Sequence, residues 1–117
     1  RILSVLLLLS SFVWAEAITV YKSPTCGCCS AWETHLEKAG FKVTSKPTDK
    51  MIEVRKELGI PSKMQSCHTG IINGYLIEGH VPAADIKKLL NESPTGIVGL
   101  AVVNVPSTKL LISVSKR

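Results

Sequence analysis

The chain has 117 residues and a formal net charge of +5, with its lysines scattered along the chain and only 5% aromatic residues. That length fits one domain with a modest core. Nucleic-acid recognition calls for a concentrated basic stripe with aromatics between the charges, and neither is present, so the positive residues read as a solvated surface and nucleic acid is excluded as a partner.

In chain order, Arg1 precedes an apolar run from Ile2 to Leu9, and small residues Ala15 and Ala17 frame Glu16. Charge, apolar stretch and small-residue site make a secretory signal over residues 1–17, truncated at its start because no initiator Met is present. The run falls short of the roughly 20 apolar residues a membrane span needs. An uncleaved membrane anchor is the alternative; with the signal cleaved, no stable membrane insertion is expected. The mature domain, residues 18–101, is then expected in the periplasm or otherwise secreted.

Ile18-Thr19-Val20-Tyr21 is β-branched and aromatic and reads as a strand, broken by Ser23-Pro24-Thr25. Cys29, Trp32, Leu36 and Ala39 recur at helical spacing before Gly40, which stops the helix. Phe41 to Thr44 alternates like a half-buried strand. Asp49 is placed to cap a second helix that turns Met51, Ile52, Val54 and Leu58 inward and closes at Gly59 and Pro61. Asn73-Gly74 between two β runs is a hairpin signal. Pro82 opens a third helix with Ile86, Leu89 and Leu90 on its apolar face. Beyond Ser93 the signal weakens, with an edge strand possible at Leu110 to Val114. The order β-α-β-α-β-β-α, with cysteines at the first strand-to-helix junction, describes a thioredoxin-like α/β sandwich.

Cys26, Cys28 and Cys29 cluster at that junction, and Cys67 stands far downstream beside His68. Adjacent cysteines rarely meet bridge geometry, so three thiols in four residues cannot all be structural disulfides. Outside the cytoplasm free thiols oxidise unless something occupies them. Thiolates suit Cu(I), zinc or an iron–sulfur cluster. The bland alternative is one disulfide plus a spare thiol. A helix N-terminus near Cys28 is expected to lower thiol pKa and favour the thiolate. The thioredoxin-like layout carries Cys67 back to the cysteine turn, with His68 where thioredoxins place a proline.

The histidines stay open. His68 reads as a ligand, a donor to a sulfur or a solvent-facing loop residue; His80 as a ligand or the cap of the following helix; His35 as solvated. Met64 is either a soft ligand or a cover, Met51 is core, and Trp32 packs under the site.

Three segments together resemble a known family: Tyr21 to Cys29, Ser66-Cys67-His68-Thr69, and Gly74 to Ala83 with Ile86 and Leu89-Leu90. They are similar to the small secreted bacterial metal-binding proteins of the CopG type, associated with copper resistance and long catalogued as a domain of unknown function. The resemblance implies a thioredoxin-like fold, an extracytoplasmic location and copper held by Cys26, Cys28, Cys29 and Cys67; four thiolates suit Cu(I), as one ion or a small cluster. Copper ions and other extracytoplasmic copper-handling proteins are the expected partners. The sequence departs from the family after Ala101: members continue through a proline-, glycine- and methionine-rich tail, whereas residues 102–117 contain no Met. Copper sequestration or transfer is the leading reading. A thioredoxin-type thiol–disulfide or copper redox protein is the alternative, and a zinc-stabilised interaction module the third.

Overall fold

The structure, a computed structural model, describes residues 16–102 and the backbone of 109–113. Most of the expected signal segment lies outside the described residues. The elements are β1 (Ala17–Lys22), α1 (Gly27–Lys38), β2 (Lys42–Pro47), α2 (Met51–Leu58), a 3-10 turn (Ser62–Met64), β3 (His68–Ile72), β4 (Tyr75–Glu78), α3 (Ala83–Glu92), β5 (Ile97–Val102) and β6 (Lys109–Ser113). They form a mixed α/β fold on one sheet of order β2-β1-β3-β4-β5-β6. β1–β2 and β4–β5 are parallel pairs bridged by α1 and α3, while β1–β3, β3–β4 and β5–β6 run antiparallel.

Alternation along the strands divides the core between two faces. Ile18, Val20, Ile72 and Ile77 pack with Trp32 and Leu36 of α1 and Ile86 and Leu89 of α3. On the opposite face, Leu76 and Ala101 join Ile60, with Leu58 and Met64 packed against them. Gly70 decides where the indole lies. A Cβ there would stand 2.9 Å from Ile18 Cδ1 and 3.3 Å from Trp32 Cη2, so the bare backbone leaves room for the indole to lie close over the sheet. The β3–β4 turn takes φ of 48° at Asn73 and 79° at Gly74, the left-handed pair that a two-residue hairpin wants. Its register sets Thr69 opposite Glu78.

β2 is an edge strand: the expected alternation holds over Phe41 to Thr44, with Phe41 buried and Val43 half-buried, and the strand is exposed from Thr44 to Pro47. Several expectations need correction. Asp49 does not cap α2: Lys50 holds the cap position without a side-chain bond, and Thr48 Oγ1 accepts the Lys50 N–H at 3.1 Å. Ile52 is 80% exposed, since the inward face of α2 passes through Met51, Arg55 and Leu58 and Ile52 falls a quarter-turn away. The sheet also continues past the expected seven elements through β5, and the edge strand offered at Leu110 to Val114 is present as β6. Glycine is a weak strand signal, yet Gly99 sits where any Cβ would collide with the Leu76 carbonyl of β4.

Candidate functional site

The Ser23-Pro24-Thr25 turn after β1 closes with the Cys26 N–H donating to Ser23 O at 3.2 Å, which puts Cys26 at the N-cap of α1. Its sulfur does no capping. Cys29 lies one helical turn later, with the two Cα atoms 5.5 Å apart, inside the range a disulfide spans, and the two sulfurs are bonded. Cys29 is fully buried; Cys28, on the exposed side of the same turn, carries a free thiol.

Cys67 reaches this turn from the far end of the sheet pairing. β3 runs antiparallel to β1 with Lys22 opposite His68, so the residue just before β3 faces the loop just after β1. Cys28 Sγ is 3.2 Å from Cys26 Sγ and 3.7 Å from Cys67 Sγ, and Cys29 Sγ is 3.7 Å from the Cys67 carbonyl oxygen. All four sulfurs lie within 4.8 Å of one another. The folded chain therefore unites the cluster and the downstream cysteine.

One electrostatic expectation is overturned. The Cys28 pKa is raised, not lowered: its hydrogen bond with the Cys67 thiol, desolvation and the Cys67 charge outweigh the backbone N–H groups of Cys28 and Cys29, which pull the other way. The helix terminus acts, but a second thiol at contact distance favours keeping a proton between the pair.

The imidazoles form a stack behind Cys67. His68 is fully buried, its ring 4.1 Å from Trp32 on one side and 5.2 Å from His80 on the other, both nearly parallel. Its Nε2 lies 2.6 Å from the Gly79 carbonyl. A carbonyl only accepts, so this contact assigns the proton to Nε2 and leaves Nδ1 as a bare lone pair. Burial drives the His68 pKa down to about 4, keeping the ring neutral. Nδ1 is buried without a hydrogen-bond partner, a cost of about 1–3 kcal/mol for an ordinary buried acceptor. Donor atoms of Cys67, His68 and His80 also fall within 4.8 Å of one another, so Cys67 belongs to both groups.

His80 is exposed and does not cap α3. His35 takes that place, its Nε2 accepting the Ala83 N–H at 3.1 Å, so it is tied to α3 rather than simply solvated. Trp32 stays under the site with its Nε1–H donating to Val81 O at 2.9 Å. Cys28, Trp32, His35, His80 and Pro82 line a shallow groove beside the thiols. Met64 packs into the far-face cluster with Ile60 rather than over the sulfurs.

The sequence reading missed the support of the Cys67 loop. The Ser66 N–H donates to Glu78 Oε1 at 2.8 Å, and Thr69 Oγ1 donates to Glu78 Oε2 at 2.6 Å. Arg55 Nε donates to Glu78 Oε1 at 3.2 Å, while Arg55 Nη2 donates to the Ser66 carbonyl. Burial raises the Glu78 pKa, against the lowering pull of Thr69, Ser66 and Arg55. The one available sequence signal was a glutamate alternating into a strand opposite a threonine.

Three comparisons bear on this arrangement. A family model described as a protein of unknown function, DUF411, matches residues 64–109. The chain is similar to a solved structure described as copper resistance protein CopG, form 2, with 49% identity and a TM-score of 0.72 over 76% of this chain and 70% of that one. It is likewise similar to form 1, with 42% identity and a TM-score of 0.71 over 82% of each chain. The curated proteins gave no match.

Proposed function

This chain belongs to the CopG-type copper resistance family, and on that premise we propose that it binds copper as Cu(I) through Cys26, Cys28, Cys29 and Cys67 and sequesters it or passes it on, outside the cytoplasm. The observation that carries the reading is the closure of four sulfurs within 4.8 Å around a downstream cysteine. Thiolate sulfur is the soft donor monovalent copper prefers, and it can bridge two ions, so the same pocket accommodates one ion or a small cluster. The neutral His68 imidazole, with an unpaired Nδ1 and one ring nitrogen within 4.8 Å of Cys67 Sγ, adds a donor of compatible type, and His80 a further one.

Metal uptake calls for reduced sulfur. A two-electron dithiol reductant opens the Cys26–Cys29 bond, and the resulting thiols lose protons as they bind the metal. The raised Cys28 pKa supports uptake that strengthens with pH, since the proton held between Cys28 and Cys67 must leave. The β1-α1-β2 unit leading into the β3–β4 hairpin and α3 supports reading the fold as thioredoxin-like. Periplasmic residence rests on residues 1–17 as a signal peptide. An exposed Cys28 at the rim supports delivery to or from other extracytoplasmic copper proteins.

The test is a Cu(I) titration of the reduced protein against a chromophoric chelator. Partners behind a metal ligand typically carry about 10–100-fold in affinity. Replacing a ligand itself, as in Cys28→Ser or Cys67→Ser, is thus expected to weaken binding by about a hundredfold or more. Failure to compete with the chelator, or serine variants that bind as the parent does, sinks the proposal.

One observation favours a second reading, a thiol–disulfide or copper redox protein. Cys26 and Cys29 have Cys-x-x-Cys spacing at a helix N-terminus and are bonded. Insulin reduction with a thiol regenerant separates the two: thioredoxin-like turnover promotes the redox reading. Metal analysis after growth with copper separates copper from structural zinc.

A further inference from the structure

We infer that the buried Arg55–Glu78 pair is the positioning element of the site: it holds Cys67 in register with the cysteine turn by fixing the Ser66 backbone before it and the Thr69 hydroxyl after it. This rests on the copper reading for its consequence, though not for its geometry.

The pair is shielded from the solvent in which exposed ion pairs contribute little. The Glu78 side chain is 0% exposed and that of Arg55 12%. Replacing a buried pair with apolar residues of similar size is often neutral or stabilising, so stability alone is a poor account of its presence. What the pair holds is more telling. Arg55 and Glu78 take both backbone polar groups of Ser66, the residue before Cys67, while the second Glu78 oxygen takes the hydroxyl of Thr69, two residues after it. Cys67 is bracketed by ties to one carboxylate. The anion comes from β4 and the cation from α2, so the bracket refers the loop to two separate elements.

Arg55 contributes geometry that no other cation supplies. Its planar guanidinium reaches the Glu78 carboxylate through Nε and the Ser66 carbonyl through Nη2 together. A lysine ammonium is a single point on a flexible stem and cannot reproduce that fork. Without the fork the Gln65–Cys67 segment keeps its charge balance and loses a tie. Cys67 Sγ then leaves the contact distance it has to Cys28, while Cys26, Cys28 and Cys29, anchored on α1, stay in place.

The test uses Arg55→Lys and the double change Arg55→Met with Glu78→Met, which leaves no buried charge unpaired if the lysine variant fails to fold. Orientation of a ligand by its support is typically worth about 10–100-fold in metal affinity, and that loss in Cu(I) competition is expected for both. In a Cys67→Ser background the same changes are expected to add nothing. A metal-free arm follows Cys28–Cys67 bridging by a bifunctional thiol alkylator in a Cys26→Ser/Cys29→Ser background, where a loss of bridged product is expected. Parent-like affinity and bridging in both variants overturns the inference. So does an equal loss of affinity with Cys67 already removed, which reports general loosening. A parent protein that fails to bind Cu(I) while bridging still depends on Arg55 overturns the copper reading alone.

Discussion

The sulfur pocket has two walls built on different principles. The first is local: Cys26, Cys28 and Cys29 lie on one turn at the start of α1, and helix geometry places them whatever the rest of the chain does. The second is assembled at long range. Cys67 and His68 stand where they do because β3 pairs with β1, because Gly70 lets Trp32 under the stack, and because Glu78, Gly79 and Arg55 hold the loop from neighbouring elements. The local wall sets which chemistry is available. The long-range wall sets whether the fourth sulfur and the imidazoles arrive, and damage to it acts on geometry first.

Trp32 touches both walls, so it gives the largest effect. The indole is 5% exposed, packs in the main core, stacks on His68 and donates to Val81 O. Trp32→Ala is expected to cost about 3–5 kcal/mol of stability, read by urea unfolding. A loss under about 1 kcal/mol would mean that the stack is not supported from below, since surface changes alone stay near ±0.5 kcal/mol.

Protonation probes the second wall next. His68 titrates near 4 in the folded metal-free protein against 6.5 for the unperturbed side chain, because burial disfavours the cation. Between those values the unfolded chain holds the extra proton. Stability is therefore complete above pH 6.5, declines as pH falls toward 4, and levels off below; a shift of this size corresponds to about 3 kcal/mol. Urea unfolding at several pH values checks it. His68→Phe, which keeps a ring between Trp32 and His80, is expected to flatten that part of the slope.

The contrast also explains what could be read from the amino acids alone. Helical spacing from Cys29 to Ala39 and the Asn73-Gly74 turn are short-range signals, and α1 and the hairpin follow them. The meeting of Cys67 with the cluster followed from the element order. Its support did not. Arg55 looks like a solvated helix charge, Glu78 like an exposed strand position and His35 like a surface residue, because their partners are 11 to 48 residues away in sequence. β5 was obscured by glycines whose value appears only when Leu76 lies against Gly99.

Gly79 is a smaller probe of the same wall. It has φ of +79°, and a Cβ there would meet the Val102 carbonyl at 2.7 Å and Ser66 Oγ at 3.1 Å. Its carbonyl orients His68, and its N–H donates to His68 O at 3.2 Å. Gly79→Ala is expected to cost about 1–3 kcal/mol in urea unfolding, the usual range for a residue forced into a sparsely populated backbone region. An unchanged midpoint would show that the backbone at 79 yields freely and that the His68 ring is oriented by stacking alone.

The smallest effect is the sharpest check on how α2 faces the sheet. Ile52 and Arg55 lie three residues apart on α2, and composition alone assigns the isoleucine inward and the arginine outward. The fold reverses them: Ile52 is 80% exposed, while the Arg55 side chain is 12% exposed against Glu78. Ile52→Lys adds a helix-favouring residue at a solvated position, and its effect on unfolding is expected to stay within about 0.5 kcal/mol. It also lies away from the Ser66 tie, so Cu(I) competition is expected to match the parent, where Arg55→Lys does not. A large destabilisation by Ile52→Lys would mean that α2 presents its other face to the sheet. Arg55 would then point away from Glu78, and the long-range wall would lose the cation that anchors the Cys67 loop.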